Sequence, residues 1–341
     1  MRYMESLAAR ATVAGAFMLS LAFTSGAVRA QDKTYVMKIS TPTLNDSPHQ
    51  FAKNFGAAVE RDSGGRIKAE VYPASQLGSI PRQIEGTQFG AIQCEVVPPE
   101  FFVGVDERFE VLTAPGLVDT LDQGQRLAAD PAVQKLMLSL GADKGLHGVG
   151  LFEATPSSVI ARSPLRHLDD FKGKRLRVFA SQFQMQAMQR LGATPVAMTL
   201  GDVMPALQQG AIDGAIAAVA VYATFHYADA AKYVTETNQP AIFIIVEISK
   251  KWYETLPADL QQIVDRDAAK EAVAIGPWAK DFDETARKNW MGQGGELISL
   301  PREEQSAMLN TLVSVGEDVS KTKPGLADAY QAVKAAAQRV R

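Results

Sequence analysis

Side chains that commonly do chemistry are thinly spread along this chain. Its four histidines, His49, His147, His167 and His226, lie far apart and share no metal-ligand spacing. The single cysteine, Cys94, rules out an internal disulfide and any CxxC zinc or redox motif. It sits in the strand-like run Ala91–Val97, which predicts a buried, inert thiol. Asp169-Asp170 and Glu303-Glu304 fall where turns or helix starts are expected, and acids there favour the helix dipole. No GxSxG, HExxH, GxxxxGK[ST] or strand-linked GxGxxG is present. An enzyme would have to assemble its site from distant residues, so the expectation is a non-enzyme with no cofactor and no metal.

The elements that would position any site follow a clear order. Thr34–Ser40 is a short β-rich run. Ser47-Pro48 reads as an N-cap with proline at the first helical position, followed by the stripe Phe51, Phe55, Ala58, Val59. Ser63-Gly64-Gly65 ends that helix, and Arg66–Tyr72 is a second strand. A helix over Ser79–Phe89, closed by Gly90, leads to the third strand, Ala91–Val97. Such β-α-β-α-β alternation predicts a parallel sheet covered by helices. It then restarts, with strands at Gly145–Glu153, Ser158–Ala161 and Lys174–Val178. A helical turn is expected at Leu168–Phe171, and helices at Ser181–Leu191 and Asp202–Gln209. Ala241–Ile248 is nearly continuous apolar sequence, as for a strand buried on both faces. Pro257–Trp290, Pro301–Lys321 and Leu326–Val340 are helical in composition. Two α/β units of similar size emerge, with a cleft between them as the expected ligand site.

The whole chain has 341 residues, 46% hydrophobic and 21% charged, with net charge −3. That is ordinary globular composition and argues against nucleic acid as a partner, since phosphate binding needs a basic patch. Met1–Ala30 reads as a secretory signal peptide, with Arg2 and Arg10 before the apolar run Ala11–Phe23 and a cleavage site at Val28-Arg29-Ala30. The leader carries three arginines against Glu5, so the mature chain is more acidic still.

Three stretches together resemble one family, the DctP-type substrate-binding proteins of tripartite ATP-independent periplasmic (TRAP) transporters. Phe51–Gly78 (FAKNFGAAVERDSGGRIKAEVYPASQLG) is similar to the family's helix, Ser-Gly-Gly turn, strand and Tyr-Pro…Gln-Leu-Gly run. Leu168–Val178 (LDDFKGKRLRV) is similar to its Asp-Leu-Lys-Gly-x-Lys-x-Arg-Val. Leu191–Gly214 (LGATPVAMTLGDVMPALQQGAIDG) is similar to its Leu-Gly-Ala-x-Pro-x-x-Met…Asp-Gly segment. Trp252…Leu256-Pro257 matches a later landmark. The resemblance spans nearly the whole mature chain.

It implies an α/β, two-lobed periplasmic-binding-protein type II fold with hinge strands, a long lobe-spanning helix and C-terminal helices. Lobe I would comprise residues 31–152 and about 241–282. Lobe II would comprise 153–240 and about 283–341. It further implies a monomeric periplasmic receptor that closes on a small organic acid and docks on the small and large membrane subunits of a TRAP permease. The family's central ligand contact corresponds to Arg177, whose planar guanidinium would grip a carboxylate bidentately. Arg175 is expected to be solvated or paired with Asp169 or Asp170.

The chain also departs from the family. Ser157 stands where many members have a second arginine, Ala217 where many have asparagine, and Leu200 where an aromatic is common. Phe152, Phe179, Tyr222 and Phe225 fall in or near segments that, by the resemblance, approach the cleft. A single arginine with apolar or aromatic walls points to a monocarboxylate with an apolar or aromatic body. Glu95 and Glu153, at strand ends, are candidate contacts to a ligand amine, hydroxyl or cation. The competing readings are a receptor for an ATP-driven importer or sensor kinase, and a secreted enzyme on the same fold.

Overall fold

In the computed structural model, residues 33–341 are described, and the leader reading of Met1–Ala30 lies outside them. The first element, β1 (Tyr35–Ser40), runs into α1 (Ser47–Asp62). The N-cap of α1 is Asp46 rather than the expected Ser47, and its carboxylate accepts from the His49 N–H at 3.2 Å. The cap therefore falls one residue earlier, and Pro48 still sits in the first turn, where its missing N–H costs nothing. Next come β2 (Ile67–Tyr72), α2 (Ile80–Phe89) and β3 (Cys94–Val97). Gly90 ends α2 at φ 86°, a left-handed conformation that favours glycine. Strand β3 is shorter than Ala91–Val97, because the Ala91 and Ile92 N–H groups turn back to the Gly86 carbonyl.

Two helices, α3 (Leu121–Ala129) and α4 (Pro131–Met137), precede the long strand β4 (Leu146–Pro156). The second α/β unit contains β5 (Ser158–Ala161), β6 (Arg175–Val178), α5 (Gln182–Arg190) and β7 (Thr194–Ala197). It continues with α6 (Leu200–Gln208), β8 (Gly214–Ala217), α7 (Val219–Thr224) and β9 (Tyr233–Glu236). The chain then returns through β10 (Ala241–Ser249) and α8 (Lys250–Tyr253) to α9 (Ala258–Gly292). It closes with β11 (Glu296–Ser299), α10 (Arg302–Leu312), α11 (Val315–Ser320) and α12 (Pro324–Arg339).

Two sheets result. The first has the order β2-β1-β3-β10-β4, and the second β11-β9-β5-β8-β6-β7. Strands β1, β2 and β3 are mutually parallel, as the β-α-β pattern requires, while β10 enters antiparallel between β3 and β4. All nine β10 residues are buried, which explains their unbroken apolar sequence. The chain passes between sheets at Ser157, between β4 and β5, and again between β9 and β10. A third passage is made inside α9, a 35-residue helix of roughly 50 Å. It packs on α1 and β4 beside the first sheet and on α7 and β11 beside the second.

Helices cover both faces of the first sheet. Phe51, Phe55 and Val59 of α1 bury against Met37, Ile39 and Val96. On the opposite face Ile80, Ile84 and Leu127 meet Val97, Leu151 and Ile245. The last helix departs from the lobe II assignment. Although Tyr330 reaches Phe183 of α5, α12 lies mainly on α4 and the 3-10 segment Glu107–Thr113. Arg339 pairs with Asp130 at 2.8 Å, and the Val340 carbonyl accepts from Arg126. An amphipathic helix follows whichever apolar surface is open to it, and here that surface belongs to the first sheet's side.

Candidate ligand-binding site

The carboxyl ends of the parallel strands in both sheets converge on one cleft enclosing about 680 Å³, its open mouth included. One wall comes from the first sheet and its helices. Thr43, Asp46 and Ser47 stand where β1 leads into α1, Val96 lies on β3, Phe101 in the 3-10 turn Pro99–Phe102 that follows it, and Thr155 next to the end of β4. Phe282 and Asp283 add the flank of α9. The opposite wall holds Arg177 at the end of β6, Phe179 after it, Leu200 at the start of α6, and Ala217 at the end of β8.

Arg177 is 1% exposed, among the most buried large side chains of the molecule. Its strand lies between β7 and β8, so the guanidinium is framed by backbone from both neighbours. Nε donates to the Met198 carbonyl and Nη1 to the Ile216 carbonyl, each at 2.9 Å. The group lies over the Phe179 ring, 4.5 Å from its centroid, and Phe179 stacks in turn on Phe101 of the other wall at 5.5 Å. Nη2 has no protein partner among the described residues, and no salt bridge forms. Burial lowers the guanidinium to about 10, so it remains charged at neutral pH. The carboxyl that acts on it most strongly, Glu100, is pushed up to about 8 by burial; it is met by its own backbone N–H and by a long contact from Gln184 Nε2 at 3.4 Å. Glu100 feels the Arg177 charge but forms no salt bridge with it. A buried cation held in place by neutral carbonyls is chemically ready for an anion.

Of the other residues singled out from sequence, Phe179, Ala217 and Leu200 line the cleft. Five do not. Phe152 is fully buried and stacks on Phe51 at 5.1 Å, two residues short of Ala154, which does reach the cleft along the same strand face. Glu153 points the other way, against α3, where a Cβ on Gly124 would collide with its carboxylate. Neither of its oxygens has a partner, and burial pushes it well above the usual carboxyl range. Glu95 alternates with cleft-lining Val96, so it faces the opposite side of the sheet. There the Ser40 hydroxyl bonds it and burial raises it to about 8. Tyr222 is a core residue, its hydroxyl bonded to the Ser158 and Ala215 carbonyls at 2.9 and 2.8 Å, while Ala220 and Val221 face the cleft. Ser157 is buried at the crossing between sheets, where its N–H meets the Pro240 carbonyl.

Phe225 does not line the cleft either. Arg175 pairs with Asp213 at 2.8 Å, not with Asp169 or Asp170, because it borders the turn that carries Asp213. Cys94 is free and buried.

Sequence reasoning missed Thr43, Asp46, Phe101, Thr155 and Asp283. A signal existed for Asp46. It lies just past the carboxyl end of the first parallel strand, where such sheets place their ligand sites.

Two α/β lobes around a cleft with a buried, uncompensated cation define a two-lobed solute-binding architecture. The chain belongs to the bacterial extracellular solute-binding protein family 7, DctP, whose model matches residues 40–322. The C4-dicarboxylate-binding periplasmic protein DctP of Rhodobacter capsulatus is 29% identical over 326 residues, covering 94% of this chain and 96% of that protein. A TRAP periplasmic solute-binding protein from Desulfovibrio salexigens with bound orotic acid superposes with TM-score 0.83 at 20% identity, covering 90% of this chain and all of that one. Another from Shewanella oneidensis with bound succinate gives TM-score 0.81 at 24% identity, covering 89% and 99%. These neighbours share the fold. Among the described residues no helix is long and apolar enough to cross a membrane.

Proposed function

We propose that this protein is the extracytoplasmic receptor of a TRAP transporter and carries a small organic acid in its cleft to a membrane permease of one small and one large subunit. The observation that carries the reading is Arg177, a buried guanidinium on the cleft wall with no carboxylate partner among the described residues. A ligand carboxylate supplies the missing charge through two parallel hydrogen bonds. Phe101, Phe179, Leu200 and Ile242 surround it with apolar surface, which suits an acid with an apolar or aromatic body better than a hydroxyl-rich sugar acid. Family membership supports export, with the leader removed near Ala30 and the mature chain periplasmic. Lobe I is assigned to residues 31–152 and about 241–282, with α12 docked on it, and lobe II to the remainder. The protein acts as a receptor, not an enzyme, and functions as a monomer.

A thermal-shift screen of the mature protein against organic acids tests this reading. A true ligand raises the melting temperature by mass action, and Arg177→Ala should remove the shift. Acids that stabilise wild type and Arg177→Ala equally would refute the anchor.

A further inference from the structure

Among the described residues, Arg177 is one of two charged groups at the cleft without an ion-pair partner. The other faces it from the first sheet's wall. Asp46 is 6% exposed and lines the cleft, yet forms no salt bridge among the described residues. Its hydrogen bonds are local and neutral: Oδ1 accepts from the His49 N–H at 3.2 Å as the helix cap, and the Thr43 hydroxyl and its own N–H also act on it. His49 brings no compensating charge, because its Nδ1 accepts from the Asn45 N–H at 3.0 Å and burial lowers its proton affinity. Beside Asp46, the buried Thr43 hydroxyl lines the cleft too; it lies against the Asp46 carboxylate and has no other partner among the described residues. The second cleft acid, Asp283, is already satisfied by Arg287 Nε at 2.8 Å and the Thr155 hydroxyl at 3.1 Å.

A helix N-terminus normally holds a capping carboxylate below its usual range. Here desolvation outweighs the cap, and Asp46 is raised to about 6. The carboxylate is thus ionised at neutral pH in a place that gives it too little positive charge. Capping alone does not call for an ionised group, since asparagine or serine caps as well.

We infer that Asp46, with the Thr43 hydroxyl, receives a protonated amine at the end of the ligand opposite its carboxylate, so that the cleft selects a zwitterionic amino acid rather than a simple monocarboxylate or a dicarboxylate. The inference rests on the proposed carboxylate anchor at Arg177 and adds the partner for the second charge.

Calorimetry with matched pairs tests it at pH 7.5. The ammonium-ended probes are 4-aminobutanoate, 5-aminopentanoate, 6-aminohexanoate and 4-(aminomethyl)benzoate. Their methyl-ended twins are pentanoate, hexanoate, heptanoate and 4-ethylbenzoate. In wild type at least one ammonium-ended probe should bind more tightly than its twin. Asp46→Asn keeps the cap and removes the charge, so that probe should weaken by about 30-fold or more while the twin is unchanged. Asp46→Ser, a second capping residue, should behave alike, and unchanged circular dichroism melting of either variant verifies the fold. If twins match or exceed their partners in every pair, if no ammonium-ended probe binds, or if Asp46→Asn and Asp46→Ser keep the preference, the inference is overturned. Arg177→Ala separates the two ideas. Binding of both twins unaffected by Arg177→Ala removes the anchor itself. Twins that need Arg177 but show no ammonium preference leave the anchor standing and remove Asp46 as its complement.

Discussion

Arg177 concentrates the chemistry in one side chain, and its surroundings specify which substitutions are informative. Truncation to alanine removes a charge-assisted pair from a desolvated site and should weaken ligand binding by roughly 2–5 kcal/mol. Arg177→Lys keeps a charge but cannot donate to Met198 and Ile216 and still present a planar fork. It should therefore bind little better than Arg177→Ala, as isothermal titration would show. Near-wild-type affinity in Arg177→Lys would mean that charge alone is recognised. At this scale the sequence was partly legible. Motif register pointed to Arg177, Leu200 and Ala217, which line the cleft, and to Ser157, which does not. It did not resolve facing. Phe152 lies two positions too early on β4, and Glu95 one position from Val96, and a strand turns its side chains over at every residue. Asp46 escaped because its segment reads as a cap, and a capping role hides a second one.

Among elements, β3, β10 and β4 carry an unusual load of buried acid. Glu95 and Glu247 face each other across the antiparallel β3–β10 ladder, and both Glu247 oxygens lack partners. Burial raises Glu95 to about 8 and Glu247 well above the usual carboxyl range. A carboxyl whose proton is held more tightly in the folded state stabilises fully below its unfolded value and loses that contribution as pH rises through the folded one. Unfolding free energy should thus fall between about pH 5 and pH 8, by about 1.4 kcal/mol per pH unit for each such carboxyl, and the melting temperature with it. Glu247→Gln should flatten the profile, and an unchanged profile would show that Glu247 does not titrate across that window. The α3–β4 contact gives a second test. Gly124→Ala drives a methyl into the Glu153 carboxylate and should cost about 1–3 kcal/mol by denaturant melting. With Glu153→Ala already present, the same change should become neutral or stabilising, because alanine is the better helix former. Most long elements were readable from periodicity and punctuation, α1, α2, β10 and α9 among them. Four-residue strands such as β7, Thr-Pro-Val-Ala, and β11 were not. They are too short to show a period, and pairing with β6 and β9 defines them.

For the whole molecule, the restarted β-α alternation made two α/β units legible, since each sheet needs its own helical cover. The docking of α12 was not legible, because an amphipathic stripe says that a helix packs without saying where. Two strand crossings and the span of α9 join the two sheets, while Phe101 and Phe179 meet across the cleft. Closure about these crossings should accompany binding. Small-angle scattering should record a smaller radius of gyration at saturation with a proven ligand, and an unchanged curve would argue for a rigid cleft. The proposed export leads to one further expectation, that N-terminal sequencing of the mature protein begins at or within a few residues of Gln31. The central claim remains that a buried, uncompensated guanidinium selects a carboxylate. Calorimetry of a stabilising acid beside its own methyl ester, on wild type and on Arg177→Ala, tests it most directly. The account predicts tight binding only for the free acid on wild type, with the ester on wild type and the acid on Arg177→Ala each weakened by about 30-fold or more. An ester that binds as well as its acid, or an Arg177→Ala protein that holds the acid as tightly as wild type, would contradict it.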